Sequence, residues 1–342
     1  MFNHILYNLI QVLVVMAFAP LASGVLSRMK EIVQSKHGPS IFQPYRDLWK
    51  LFHKDEIVSE DSSWIFRFTS YIVFVVPIFV TLLIPVLTNY PLFFAFMGDM
   101  IGTGFILSLG GFFAALAAID TANPYGPIGA SRTRMVGFLA EPVFMIVFFT
   151  VSFVAGSTIP YIVQEKWVTP LANFFMPSHV LLVLAFLMLI LAEGGRIPVD
   201  NPTGHFELAM IDESKSLEYS GRGFALMKWG GQMKFFVLMI VFLNVLVTPW
   251  GLAPDNPQML SQMLLSPLAP FEHFAFLNVL VPPWCLLLLA IPFVLFKVFC
   301  FLLVLVVIES SLSKLRLFRI SEFLGAAFIT SVAAMIARVF LP

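Results

Sequence analysis

Six carboxylates, Glu193, Asp200, Glu207, Asp212, Glu213 and Glu218, fall between Glu193 and Gly221 of a chain that is only 12% charged. Such a cluster, beginning where an apolar run ends, is either a solvated loop or an entry for protons, because burial favours the neutral, protonatable carboxyl. Two further ionisable groups sit inside apolar runs, where such a residue marks function by default. Glu141 lies one to two turns into its run, within reach of Arg132 and Arg134, and a helix N-terminus there would tolerate its charge. Lys297 lies near the middle of the run 284–308, where a lysine costs roughly 2.5–3.5 kcal/mol to insert; a buried acid such as Glu141 or Glu193 is its expected partner. Asp120 and Glu309 mark the ends of runs. No catalytic residue emerges. His205 and Glu207, two apart, lack the HExxH spacing, and there is no GxGxxG, P-loop or GxSxG. Cys285 and Cys300 lie in or beside one run with no CxxC, so neither a metal site nor a disulfide framework is expected. The chemistry left to these residues is proton uptake and transfer.

What must position them is a bilayer. The chain is 59% hydrophobic with 38 Phe and has a mean hydropathy of +0.91, well beyond a soluble domain. Runs approaching the ~20 residues of a membrane-spanning helix occur near 5–26, 70–88, 100–119, 136–159, 179–193, 235–253, 284–308 and 323–341. The expected fold is one all-α membrane domain, 1–342, with about eight transmembrane helices. Of the 20 Lys and Arg, 17 fall in alternate connections, at 27–69, 120–135, 194–234 and 309–322. By the positive-inside rule these are large cytoplasmic loops and both termini lie outside. No Lys or Arg precedes Arg28, so the first run reads as an uncleaved helix rather than a signal peptide. A net charge of zero gives no argument for nucleic acid.

Two elements carry more information. In the first cytoplasmic segment Leu48, Leu51 and Phe52 recur at helical spacing opposite Arg46, Lys50 and Lys54, the pattern of an amphipathic helix at the lipid interface or a docking surface. The fifth run is short: His179 to Ala192 covers roughly 21 Å of a core about 30 Å thick. Glu193 and the glycines after it are therefore expected at membrane depth, where the backbone unwinds and both burial and the helix dipole favour the protonated acid.

These stretches resemble a known family, the membrane subunit corresponding to subunit 1 of respiratory complex I, in the branch of formate hydrogenlyase, hydrogenase-4 and energy-converting hydrogenases. The resemblance rests on HGPSIFQPYRDLWKLF from His37, DTANPYGPIGASRTRMVGFLAEP from Asp120, EGGRIPVDNP from Glu193, LEYSGRGFALMKWG from Leu217 and IESSLSKLRLF from Ile308. It implies a subunit that joins a cytoplasmic redox arm to antiporter-like membrane subunits in the inner membrane of a prokaryote. The implied relay uses Glu141, Glu193 with Arg196 beside it, Asp200, Glu207 and Glu218, together with Asp120, Lys297 and Glu309. Arg46, Asp47, Lys50, Arg132, Arg134 and Tyr219 are the implied docking residues for hydrogenase-like large and small subunits. Nickel-iron and iron-sulfur centres would reside in those partners, and none in this chain. DNPTGHFEL stands where complex I has DLPEAE, replacing two acids by Thr203 and His205; that departure weighs against a quinone site and for the hydrogenase branch. A stand-alone secondary transporter is the other class of reading, but it calls for paired broken helices and the chain shows one short run.

Overall fold

The computed structural model describes residues 2–59, 62–88, 93–121, 123–167, 176–200, 211–247, 252–253 and 283–340. Apolar runs become helices because a backbone surrounded by hydrocarbon has to satisfy its own N–H and C=O groups. In chain order they are α1 (Phe2–Val33), α2 (Gln43–Phe52), α3 (Trp64–Leu83), α4 (Met100–Asp120), α5 (Tyr125–Ala155), α6 (Pro160–Trp167), α7 (Pro177–Glu193), α8 (Gly221–Val241), α9 (Pro283–Ser311) and α10 (Leu317–Phe340). Among the described residues, seven are long and apolar enough to cross a membrane, and α7 is an eighth, apolar but only 17 residues long. The chain is an all-α, multi-pass membrane protein.

The helices overshoot the apolar runs towards the charged segments. The segments 120–135 and 194–234, expected as loops, are helical from Tyr125 and from Gly221 onward, so Arg132, Arg134, Lys228 and Lys234 all ride on helices. A hydropathy run ends with its apolar side chains, whereas a helix continues while its backbone bonds and packing do. Pro127 does not stop α5 because a proline in the first helical turn removes no intrahelical bond. On the side opposite the basic segments, 160–167 forms α6, while 168–175 and 254–282 lie outside the described residues.

At the centre is α8. It packs on α1, α2 and α3 and touches α7 and α9, and 78% of its apolar window is buried against 22–50% for the other long helices. Gly230 makes this contact possible: a Cβ there would lie 2.5 Å from the Val73 carbonyl oxygen of α3. From α3 the packing runs through α4 to α5, with α7 and α10 paired against α5, and α1 carries α9 on its other side.

One end of this bundle gathers the charged segments. There Ile57 and Ser220 exchange hydrogen bonds, Ser63 donates to Asp120 and Leu315 N–H donates to the Pro198 carbonyl at 2.8 Å. At the far end α3 unwinds after Leu83, and the Gln11 amide of α1 donates to Thr81 O and Ile84 O and accepts from Val86 N–H. Irregular backbone at this depth is stable only when protein satisfies it.

Candidate functional site

A cavity of about 430 Å³ opens among α1, α3, α4, α5, α7 and α8 at the charged end. Small residues leave the space, among them Ser23, Ser27, Gly110, Gly111 and Gly231, and ten charged side chains line it. The short helix α7 delivers the first of them. It ends at Glu193, as expected, in a Schellman turn: Gly195 N–H donates to Ala192 O, Arg196 N–H to Leu191 O, and Gly195 takes φ +57°, a left-handed conformation suited to glycine. The backbone therefore reverses beside the cavity and presents Glu193, Arg196 and Asp200 in succession.

The acids there are held by cations, two of them from distant parts of the chain. Lys234 of α8 donates to Glu193 Oε2 at 2.6 Å. Lys314 donates to Asp200 Oδ1 at 2.7 Å, and the other Asp200 oxygen accepts the N–H groups of Ile211 and Asp212 at 3.1 and 3.0 Å. Lys215 pairs with Asp212 at 2.5 Å. Burial alone would raise the Asp212 carboxyl, but Lys215, Lys234 and Arg196 outweigh it and hold the group below its ordinary range. The Arg196 guanidinium lies 4.8 Å from the centre of the Phe235 ring and its Nε is 4.0 Å from Glu309; burial lowers its proton affinity, opposed by Glu309 and Asp212. Glu309, whose side chain is 0% exposed, also pairs with Lys30 of α1 at 2.9 Å. The result is an unbroken series of neighbouring charges, Glu193–Lys234–Asp212–Arg196–Glu309–Lys30, crossing from α7 to α1.

Several expectations change. Glu141 is four turns into α5, not one to two, so no helix terminus supports it; it is 29% exposed on the cavity wall, 4.0 Å from Arg134. Arg196 stands beside Glu309, and the partner of Glu193 is Lys234. Lys297 is buried and donates to Asn244 at 2.8 Å, rather than to Glu141 or Glu193. Glu309 is no simple boundary charge. Asp212, Glu213 and Lys215, which stand outside the implied relay, line the cavity. Asp120 accepts from the Ser63 N–H and hydroxyl at the start of α3, and Glu218 accepts from the Asn123 amide; neither lines the cavity. Glu207, with Thr203 and His205, lies outside the described residues.

The docking residues divide. Arg46 and Lys50 are exposed on α2, with Asp47 bonded to Gln43; Arg132 is half-buried, and Arg134 stacks over Phe112 on the cavity wall. Tyr219 is buried, stacked on Phe66 and donating to its carbonyl at 2.8 Å, and burial raises its phenol. It fastens the segment before α8 to α3 and offers no docking surface. Sequence reasoning passed over Lys30, Lys234 and Asn244, which look in the sequence like ordinary loop or span residues.

The model of one protein family, described as NADH dehydrogenase, matches residues 6–340. The chain belongs to that family, the one of complex I subunit 1. Within the family, it is 36% identical over 249 residues to formate hydrogenlyase subunit 4 of Escherichia coli K12, covering 72% of this chain and 78% of that one. It is 32% identical over 256 residues to hydrogenase-4 component C of the same organism, with 73% and 78% covered. A chain of the membrane-bound sulfane sulfur reductase, an archaeal respiratory membrane complex, superposes with a TM-score of 0.76 over 98% of this chain and 99% of that one, at 18% identity, which speaks for the fold alone. The relatives of this family member are parts of multisubunit assemblies. Among the described residues no three His, Cys, Asp or Glu are grouped as metal ligands, so what the site offers chemically is compensated charge around a polar cavity.

Proposed function

We propose that this chain is a non-catalytic membrane subunit of a hydrogenase-type complex, in the inner membrane of a prokaryote with its charged end in the cytoplasm. It anchors a nickel-iron hydrogenase-like module there and relays protons, or their electrostatic effect, to antiporter-like partners. The observation that carries the reading is the series of neighbouring charges from Glu193 to Lys30, whose members Glu193, Lys234, Asp212 and Arg196 line a cavity that enters the bundle. In such a series each acid is stabilised by a neighbouring cation, so a proton added to one carboxyl frees that cation to bias the next. A redox change at the cavity mouth can then move charge across the subunit without any metal in this chain. Exposed Arg46 and Lys50 on α2 supply a basic face for the module.

The variant Glu193→Gln tests the relay. It keeps the shape of the side chain and an acceptor for Lys234 but removes the charge. The assembled complex should retain its redox rate and lose ion transport in vesicles; full coupling would remove Glu193 from the relay. A quinone-reactive role finds support in the volume alone, since 430 Å³ would admit a ring. Small-molecule pockets are mostly apolar, and ten charged linings suit water and protons better. Turnover that requires added quinone would reverse that preference.

A further inference from the structure

The inner charges stop abruptly. Going from Glu193 along α7, seven residues or ~10 Å of rise lead to Phe186; eight residues, ~12 Å, lead from Lys234 to Phe242 and from Glu309 to Phe301. These three phenylalanines meet at one level. The Phe186 and Phe242 rings stack with centroids 5.8 Å apart, and Phe242 lies 5.0 Å from Phe301. Phe144 and Phe148 of α5 close the other side of Phe186 at 5.7 and 5.6 Å. All five are buried. Glu141, three residues before Phe144 on α5, lines the cavity and shares a small pocket with Phe144 against the layer.

Beyond it the interior becomes polar again. The helix α8 widens into a π-helical segment, Phe242–Val247, a local irregularity often found at functional sites. Its Asn244 accepts from Lys297 of α9 at 2.8 Å and donates to the Val86 carbonyl in the unwound end of α3 at 3.1 Å. His179 of α7, also buried, hydrogen-bonds the backbone of Leu246 in the same segment. Asn8, one turn before Gln11 on α1, buries both amide atoms without a hydrogen-bond partner. Arg338 of α10 is bonded to the Met176 sulfur just before α7 at 2.6 Å.

We infer that Phe144, Phe148, Phe186, Phe242 and Phe301 form a hydrophobic seal between the cavity and a second polar site, Lys297–Asn244–His179, which exchanges protons with the far side of the membrane only. The barrier is physical: a layer of packed aromatic rings excludes water, and a proton does not cross it without water or a titratable group. This chain therefore holds ionisable groups on both faces of the membrane and conducts between neither; transmembrane transfer is left to its partners. The inference goes beyond the relay and can fail separately, because Glu193→Gln reads coupling whereas the seal is read as a leak.

Purified complex in sealed vesicles, under an imposed pH gradient and without redox substrates, provides the test. The pair Phe186→Ser with Phe242→Ser should speed decay of the gradient several-fold in assembled complex, and the pair Phe186→Leu with Phe242→Leu, which also loses aromatic packing, should not. A tight serine pair overturns the seal, and so does an equal leak from the leucine pair. The unmodified complex is the baseline for both pairs.

Discussion

Two lysines of the bundle interior, Lys234 of α8 and Lys297 of α9, meet different kinds of partner. At the charged end Lys234 faces the carboxylate of Glu193, beside further acids, further cations and a cavity. At the far end Lys297 faces the neutral amide of Asn244, in turn bonded to backbone. Charge facing charge can be redistributed, since a proton gained at one carboxyl is compensated by its neighbours. The Asn244 amide, bridging a lysine and a backbone carbonyl, brings no charge of its own to redistribute. The contrast separates a region of coupled charges from one organised around a neutral amide.

The sharpest way to break the comparison lies in the most buried pair. In Lys30→Met, Glu309 keeps only the more distant Arg196, and stranding a buried charge costs about 3–5 kcal/mol. Adding Glu309→Gln should restore much of this loss, because removing both charges of a buried pair is far cheaper than removing one. Thermal unfolding of the solubilised complex measures both. A Lys30→Met loss below about 1 kcal/mol, the value of a surface pair, would mean that the charged end is solvated after all.

Asn244 sharpens the other half. Asn244→Leu removes an acceptor from Lys297 and a donor from Val86, each a buried polar group, for a loss of about 1–3 kcal/mol. Asn244→Asp gives Lys297 a carboxylate and makes the far end resemble the charged one. It should be better tolerated than leucine by the same unfolding measurement, and a leucine variant as stable as the parent would show that the π-helical segment does not depend on this contact.

How much of this was legible in the sequence depends on the kind of signal. The apolar runs, the short α7 and the position of Glu193 at its end follow from hydropathy and glycine placement, which are local. Lys234 was not legible because its partner lies 41 positions away and because the helix carrying it starts before the apolar run. Lys30 and Glu309 meet across nearly the whole chain, and spacing cannot reveal such a pair. Asp120 is a further case: this carboxylate at a helix end accepts from Ser63, whose hydroxyl caps α3, a contact across 57 positions that spacing does not reveal. Acid content was visible, but what each acid binds depends on the tertiary fold.

Acid gives the smallest effect and separates the two ends in one experiment. The folded Asp212 carboxyl is held below its ordinary range by its neighbouring cations, so its contribution to stability is fully present above the unfolded value, about 4. It is lost as the pH falls through the lower folded value, where the folded state takes up the same proton as the unfolded one. Asp212→Asn should therefore flatten the acid limb of the unfolding profile below about pH 4 and alter the shape little above it. The amide contact at the far end takes up no proton in this range, so Asn244→Leu should lower the whole profile without changing the slope of that limb. An unchanged acid limb in Asp212→Asn would mean that the half-exposed carboxylate is screened by water, leaving Glu193 and Glu309 as the acids whose charge the bundle has to balance.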